Sequence, residues 1–131
     1  MTIVDPSALL QARVVNLLKQ AGTVAGDRIF SPVPSNPKFP YVSVGNIQII
    51  SEKVECLEGA EIFLTLDGWS RENSKLEIHQ LGAQITAALD DADLSDGQVT
   101  VNSCLLESTV YLDDPDGKTR HAVLTFHILT D

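Results

Sequence analysis

Histidines, cysteines and clustered carboxylates are the residues in this chain able to ligate a metal, move a proton or attack a carbonyl. The histidines are His79, His121 and His127, and the cysteines are Cys56 and Cys104. His121 and His127 share a parity in a run that alternates like a strand, so they project from one face. At about 3.3 Å per residue they stand too far apart to hold one metal ion directly. With Thr125 between them, a solvated or interface face is the expected role. His79 falls on the polar side of a helical run, beside Glu77 and Gln80, and no His-Glu-x-x-His pattern is present. Two thiols 48 residues apart form neither a disulfide framework nor a zinc ligand set. Both lie among apolar neighbours, which favours buried or half-buried thiols. Cys104 and His121 could face each other across the last hairpin, but Cys104 has no cationic sequence neighbour to lower its pKa. Gly-x-Ser-x-Gly and the glycine-rich phosphate loops are absent. Asp113-Asp114-Pro115-Asp116-Gly117 lacks the twelve-residue ligand pattern of a calcium loop and reads as a tight turn. No catalytic, metal-ligating or cofactor-binding residue is assigned.

The remaining tools are those of a binding or assembly module. The chain has 131 residues, 44% hydrophobic and 21% charged, as in an ordinary globular domain. Nine Lys and Arg against 18 Asp and Glu leave a net charge of −9. That balance disfavours non-specific duplex binding, which depends on cations neutralising phosphates. Arg71, Lys75, Lys118 and Arg120 come nearest to a basic cluster and are too few for a DNA-reading surface. No run of 18 apolar residues marks a transmembrane helix, so no membrane is expected as a partner. No basic segment followed by an apolar run opens the chain, so a secretory signal is not expected and a reducing cytoplasm is.

The elements that must position these residues follow from periodicity. Asp5 as a cap and Pro6 as first helical residue open a helix over 6–21, with Leu10, Val14, Leu17, Leu18 and Ala21 at helical spacing and Gly22 as the stop. Residues 22–40 hold four of the six prolines and read as a long connection, with a short strand possible at 27–30. Strands are expected at 41–50 and 60–69, joined by a charged hairpin loop over 51–59. Ser74-Lys75-Leu76-Glu77 has capping-box spacing and predicts a helix ending near Asp90. Asp90, Asp91 and Asp93 oppose that helix's dipole, so the end either frays or aims its carboxylates at a partner. A strand over 98–112 changes alternation phase near Asn102 and Ser103, which predicts a bulge. The turn over 113–118 leads to a last strand over 119–130, with Ala122, Leu124, Phe126 and Ile128 on one face. The order helix-strand-strand-helix-strand-strand predicts a two-layer α+β fold. Two helices would cover one face of a four-stranded, mostly antiparallel sheet in a single domain over 1–131, with long loops at 22–40, 51–59 and 113–118. Trp69, at a strand end, reads first as core, with an interface hot spot as the alternative.

Phe39-Pro40-Tyr41-Val42-Ser43-Val44-Gly45 resembles the Pro-Tyr-Val-hydrophobic-Gly strand of the phage tail completion, or tail terminator, family. Asp27-Arg28-Ile29-Phe30 resembles that family's lead-in. Leu64-Thr65-Leu66-Asp67-Gly68-Trp69-Ser70-Arg71 resembles its strand entering the second helix, although Gly68 stands where the family usually has a strand residue. Residues 113–124, with Asp-Pro-Asp-Gly and then Arg120-His121, resemble its final hairpin. The matches run through nearly the whole chain in the family's order.

The resemblance implies a structural virion protein without catalytic residues or cofactors, found in phages, prophages and gene transfer agents. Members form a homo-oligomeric, hexameric ring, assembled in the host bacterial cytoplasm, that caps the tail tube protein and docks it to the head-tail connector. No contact residue carries over from the family onto the variable 51–59 loop; read from the chain's own loops and faces, the expected interface residues are Pro34, Phe39, Lys53, Glu55, Trp69, Arg71, Asp114, Asp116, Arg120, His121, Thr125 and His127. Duplex DNA would pass through the lumen without specific binding, and an acidic bore would repel its phosphates. A non-phage α+β adaptor and a small-molecule-binding or enzyme domain remain the alternatives from the residues alone.

Overall fold

A computed structural model describes residues 5–54, 57–95 and 97–131. The element order is α1 (Ser7–Ala21), β1 (Ile29–Phe30), β2 (Tyr41–Val54), β3 (Leu57–Ser70), α2 (Leu76–Leu89), β4 (Val101–Asp113) and β5 (Arg120–Thr130). The sheet has five strands rather than four, in the order β1-β2-β3-β5-β4. It is mixed, because β1 runs parallel to β2 while the other neighbours are antiparallel. The extra strand is two residues long, too short to show an alternation. It pairs only with Val42 and Ser43 before the proline-rich connection carries the chain away.

α1 begins one residue later than expected. Asp5 Oδ1 still accepts the Ser7 N–H at 3.0 Å, and Gly22 ends the helix in the left-handed region at φ 66°. Its buried stripe is Leu10, Val14 and Leu18. The expected capping box does not form at α2. Ser74 Oγ accepts the Leu76 N–H at 3.3 Å, but Glu77 turns away to accept the Ser70 hydroxyl at 2.7 Å. Ser70 is fully buried at the end of β3, and a buried hydroxyl without an acceptor is costly. The carboxylate therefore serves the strand rather than the helix start. α2 buries Ile78, Leu81, Ile85 and Leu89.

Both helices pack on one sheet face. Ile62, Leu64 and Leu66 of β3 and Ala122, Leu124, Phe126 and Ile128 of β5 form its centre, all buried. Gly68 belongs to this inner face: a Cβ there would lie 3.1 Å from Leu81 Cδ2, so its departure from the family pattern admits α2 close to the sheet. The bulge predicted at Asn102 and Ser103 is present, as a register shift between Val101 and Ser103. Two others appear, between Leu106 and Ser108 and between Val44 and Ile47. In the latter, a Cβ on Gly45 would come within 2.7 Å of Asp67 Oδ2 and 3.0 Å of Thr65 O, so a larger residue there would push the Asp67 carboxylate aside.

The segment expected as a loop over 51–59 is mostly ladder. β2 and β3 stay paired out to Val54 and Leu57, with Lys53 opposite Glu58. The two strands stay paired through their backbones as a two-stranded ribbon beyond the core. Glu55 and Cys56 lie outside the described residues. The carboxylates after α2 neither fray nor reach outward as a set. Asp90 Oδ1 accepts the Leu106 N–H at 2.9 Å, and the Asp91 N–H donates to Cys104 O at 2.7 Å.

Candidate functional site

The sheet face opposite the helices carries the mostly polar parity of β3 and β5. On β3 it presents Glu61, Phe63, Thr65, Asp67 and Trp69; on β5 it presents His121, Val123, Thr125 and His127. Register then decides which of these meet. Trp69 pairs with His121, and their rings stack with centroids 3.8 Å apart and planes at 9°. Trp69 is thus half-buried on the outer face, not in the core. Its indole N–H donates to Ser43 Oγ at 3.1 Å. On its other side lies Tyr41, at 6.1 Å between centroids, and Tyr41 in turn touches Phe39 at 5.0 Å and Phe30 at 5.8 Å. Burial pushes the Tyr41 phenol up, with the nearby Arg71 opposing that shift and Asp114 adding to it.

Arg71 closes this aromatic corner. Its guanidinium lies 4.3 Å from the centre of the Phe39 ring, within cation–π range. The same side chain donates from Nε to Thr119 Oγ1 at 3.1 Å, joining the corner to the turn before β5. There Asp116 accepts the N–H groups of Lys118 and Thr119 and the Thr119 hydroxyl, between 2.8 and 2.9 Å. Those donors draw its carboxyl down to about 2. Arg120 donates to Asp113 Oδ1 and to Asn73 O, while its buried Nε has no hydrogen-bond partner among the described residues. A groove of about 650 Å³ opens beside the corner, lined by Asn36, Pro37, Lys38, Phe39, Tyr41 and Arg71.

Of the twelve expected interface residues, the fold gathers seven at this end of the sheet: Phe39, Trp69, Arg71, Asp114, Asp116, Arg120 and His121. Thr125 and His127 lie further along the same face. His121 Nε2 sits 2.7 Å from Asp67 Oδ1, and His127 Nε2 sits 3.1 Å from Glu61 Oε2 while stacking on Phe63. Pro34 is exposed on the proline-rich connection. Lys53 stands on the distant β2–β3 ribbon, opposite Glu58, and Glu55 lies outside the described residues. The sequence reading missed Phe30, Tyr41, Asp67 and Glu61. Their parity was visible, but their partners depend on pairing between strands far apart in the chain.

Cys104 and His121 do not meet. Cys104 pairs with Ile128, and His121 with Leu112. Cys104 is 2% exposed, and burial, with Asp90 adding to it, pushes its thiol up to about 11. That is the opposite of an activated nucleophile. Among the described residues, no cluster of three His, Cys, Asp or Glu side chains is placed to hold a metal ion. No helix there is long and apolar enough to cross a membrane.

The architecture defines a class first: a two-layer α+β protein whose assembled polar and aromatic features lie on an open sheet face rather than in a cleft. The family model of tail completion protein gp17 matches residues 9–131, and the chain belongs to that family. Membership makes it a structural protein of the phage-type virion tail. A solved chain from the virion of a native gene transfer agent particle superposes with a TM-score of 0.82 at 18% identity. The match covers 95% of this chain and 96% of that one, and at this identity it speaks for the fold. No curated protein matches the sequence.

Proposed function

We propose that the chain acts as a single structural domain, not an enzyme, and that six copies close a ring on the end of the tail tube. The ring joins the tail to the head connector, and duplex DNA passes through its lumen. It assembles in the host bacterial cytoplasm before entering the virion. The observation that carries this reading is the family match over residues 9–131. The surface chemistry agrees with it. Trp, Tyr and Arg are the residue types enriched at interface hot spots, and Trp69, Tyr41 and Arg71 stand together at one end of the open sheet face. That corner is the proposed contact for a neighbouring tail or head protein. The acidity of each copy, −9, suits a bore that lets phosphates slide.

Native mass measurement and sedimentation, with and without tail tube protein, test the assembly. A ring of six is the expected species. A strict monomer at every concentration, even with tube protein present, overturns the reading. A bore lined with Lys and Arg would overturn the sliding role while leaving the ring.

A further inference from the structure

The two margins of the sheet are each half protected. β4 is a margin strand, and the chain between α2 and β4 covers its first half. The Asp91 N–H bonds Cys104 O, the Leu106 N–H bonds Asp90 Oδ1, and the Val101 N–H bonds Ser95 Oγ at 2.8 Å. Beyond the bulge at Glu107 this cover stops. Ser108-Thr109-Val110-Tyr111-Leu112 is uncharged, rich in strand-forming residues and free of proline. Val110, Tyr111 and Leu112 are 47%, 40% and 48% exposed. On the opposite margin, β1 covers β2 only at Val42 and Ser43. After the bulge at Gly45 and Asn46, the segment Asn46-Ile47-Gln48-Ile49-Ile50 has no outer strand among the described residues, and it too is uncharged and proline-free. A groove of about 1100 Å³ runs between this margin and α1, with Ala12, Val15, Ile47 and Ile49 in its wall.

Sheet proteins that remain monomeric blunt such margins with lysine, proline, bulges or a covering loop. Here those devices protect residues 101–106 and 42–43 and leave five-residue windows of the kind that templates strand pairing. Each window spans about 17 Å. Charge selects between the possible pairings. The β4 margin is acidic, with Glu107 and, in the covering loop, Asp91 and Asp93. Two β4 margins face to face would bring like charges together. The groove along β2 has Asp5 and Lys19 as its charged linings, which offset each other.

We infer that residues 108–112 of one copy add as a strand to residues 46–50 of a second copy, so that the sheets join edge to edge. The inference rests on the ring reading above and gives it a head-to-tail interface, the kind that closes by rotation. Val110 and Leu112 then extend the outer face beside the neighbour's Gln48 and Ile50, while Tyr111, which lies over Gly82 and edge-on to His79 of its own α2, stays on the inner face beside the neighbour's Ile47 and Ile49.

Two double variants test this. Val110→Lys with Leu112→Lys blocks the β4 margin, and Gln48→Lys with Ile50→Lys blocks the β2 margin. All four positions are exposed, so circular dichroism and the unfolding midpoint are expected to stay at the wild-type values. Each variant alone is expected to be monomeric. An equimolar mixture is expected to give a heterodimer of twice the chain mass, since each partner keeps one competent margin. If both variants still form the wild-type ring, the edge pairing is wrong and the ring stands. If the β2-blocked variant forms a homodimer, the interface is two-fold and the inference fails. If wild type is strictly monomeric with tube protein present, the ring reading itself falls. Should a double variant fail to fold, single Val110→Cys and Ile50→Cys copies in a Cys56→Ser background replace it. A short bis-maleimide is expected to join them within the assembly, and an assembled ring that yields no such link overturns the pairing.

Discussion

At the scale of single residues, Asp116, a turn residue and one of the expected interface residues, has a structural task that its place in the sequence does not show. Its carboxylate holds the turn before β5 by accepting three donors and, through Thr119, it steadies Arg71 against Phe39. Because its folded-state pKa is depressed, to about 2, its contribution to stability is fully present above the ordinary value of 3.8. That contribution is lost as pH falls toward about 2. Asp116→Asn is therefore expected to unfold at a lower temperature than wild type at pH 7, and the gap should close between about pH 4 and pH 2. Thermal unfolding of both proteins at pH 7, 4 and 2.5 checks this; a gap that stays constant would mean that the carboxylate's charge does not hold the turn. The same side chain illustrates what the sequence conveys. Asp-Pro-Asp-Gly announces a turn, because those residue types favour turn backbones. The reach of Arg71 to Thr119, across 48 positions, is visible only once β3 and β5 are paired.

At the scale of elements, the inner face of the sheet was legible and the pairing was not. Ile62, Leu64 and Leu66, like Ala122 through Ile128, alternate strictly, and a period of two leaves no doubt about which side is buried. Nothing in that alternation says that β5 lies between β3 and β4, because strand order is settled by contacts distant in sequence. The two-residue β1 is shorter than any period. The capping-box spacing at Ser74 and Glu77 is a case where a local signal lost to a tertiary one. The buried Ser70 hydroxyl needs an acceptor more than the exposed helix start needs its reciprocal bond. Glu77→Ala is therefore expected to destabilise the fold by about 1–3 kcal/mol, the cost of an unpaired buried hydroxyl. Ser74→Ala, which removes one long exposed hydrogen bond, is expected to cost about 0.5 kcal/mol or less. Urea titration of both variants, with Glu77→Gln as the variant that keeps an acceptor, distinguishes the two roles. Equal losses at positions 74 and 77 would restore the capping box.

At the scale of the whole molecule, the histidines and the charge fit one picture. Glu61 and Asp67 are the outer-face carboxylates of β3, and each is set against a histidine of β5. The free stretches of β4 and β2 carry no charge at all over 108–112 and 46–50. The two paired windows themselves thus carry none of the net −9, though Glu107, Asp91 and Asp93 flank one of them, and the charge still sets every copy against every other through solvent. Such repulsion reaches about 30 Å at 0.01 M salt and about 8 Å at 0.15 M. Assembly is therefore expected to strengthen as salt rises over that range, since screening removes the repulsion and leaves backbone pairing and apolar contact untouched. An interface held by ion pairs would weaken instead. Sedimentation velocity at 0.01, 0.05 and 0.15 M sodium chloride, at one protein concentration, reads the sign directly. A shift toward the monomer with added salt would place the joining surface at Arg71, Arg120 and the acidic turn rather than at the uncharged sheet margins.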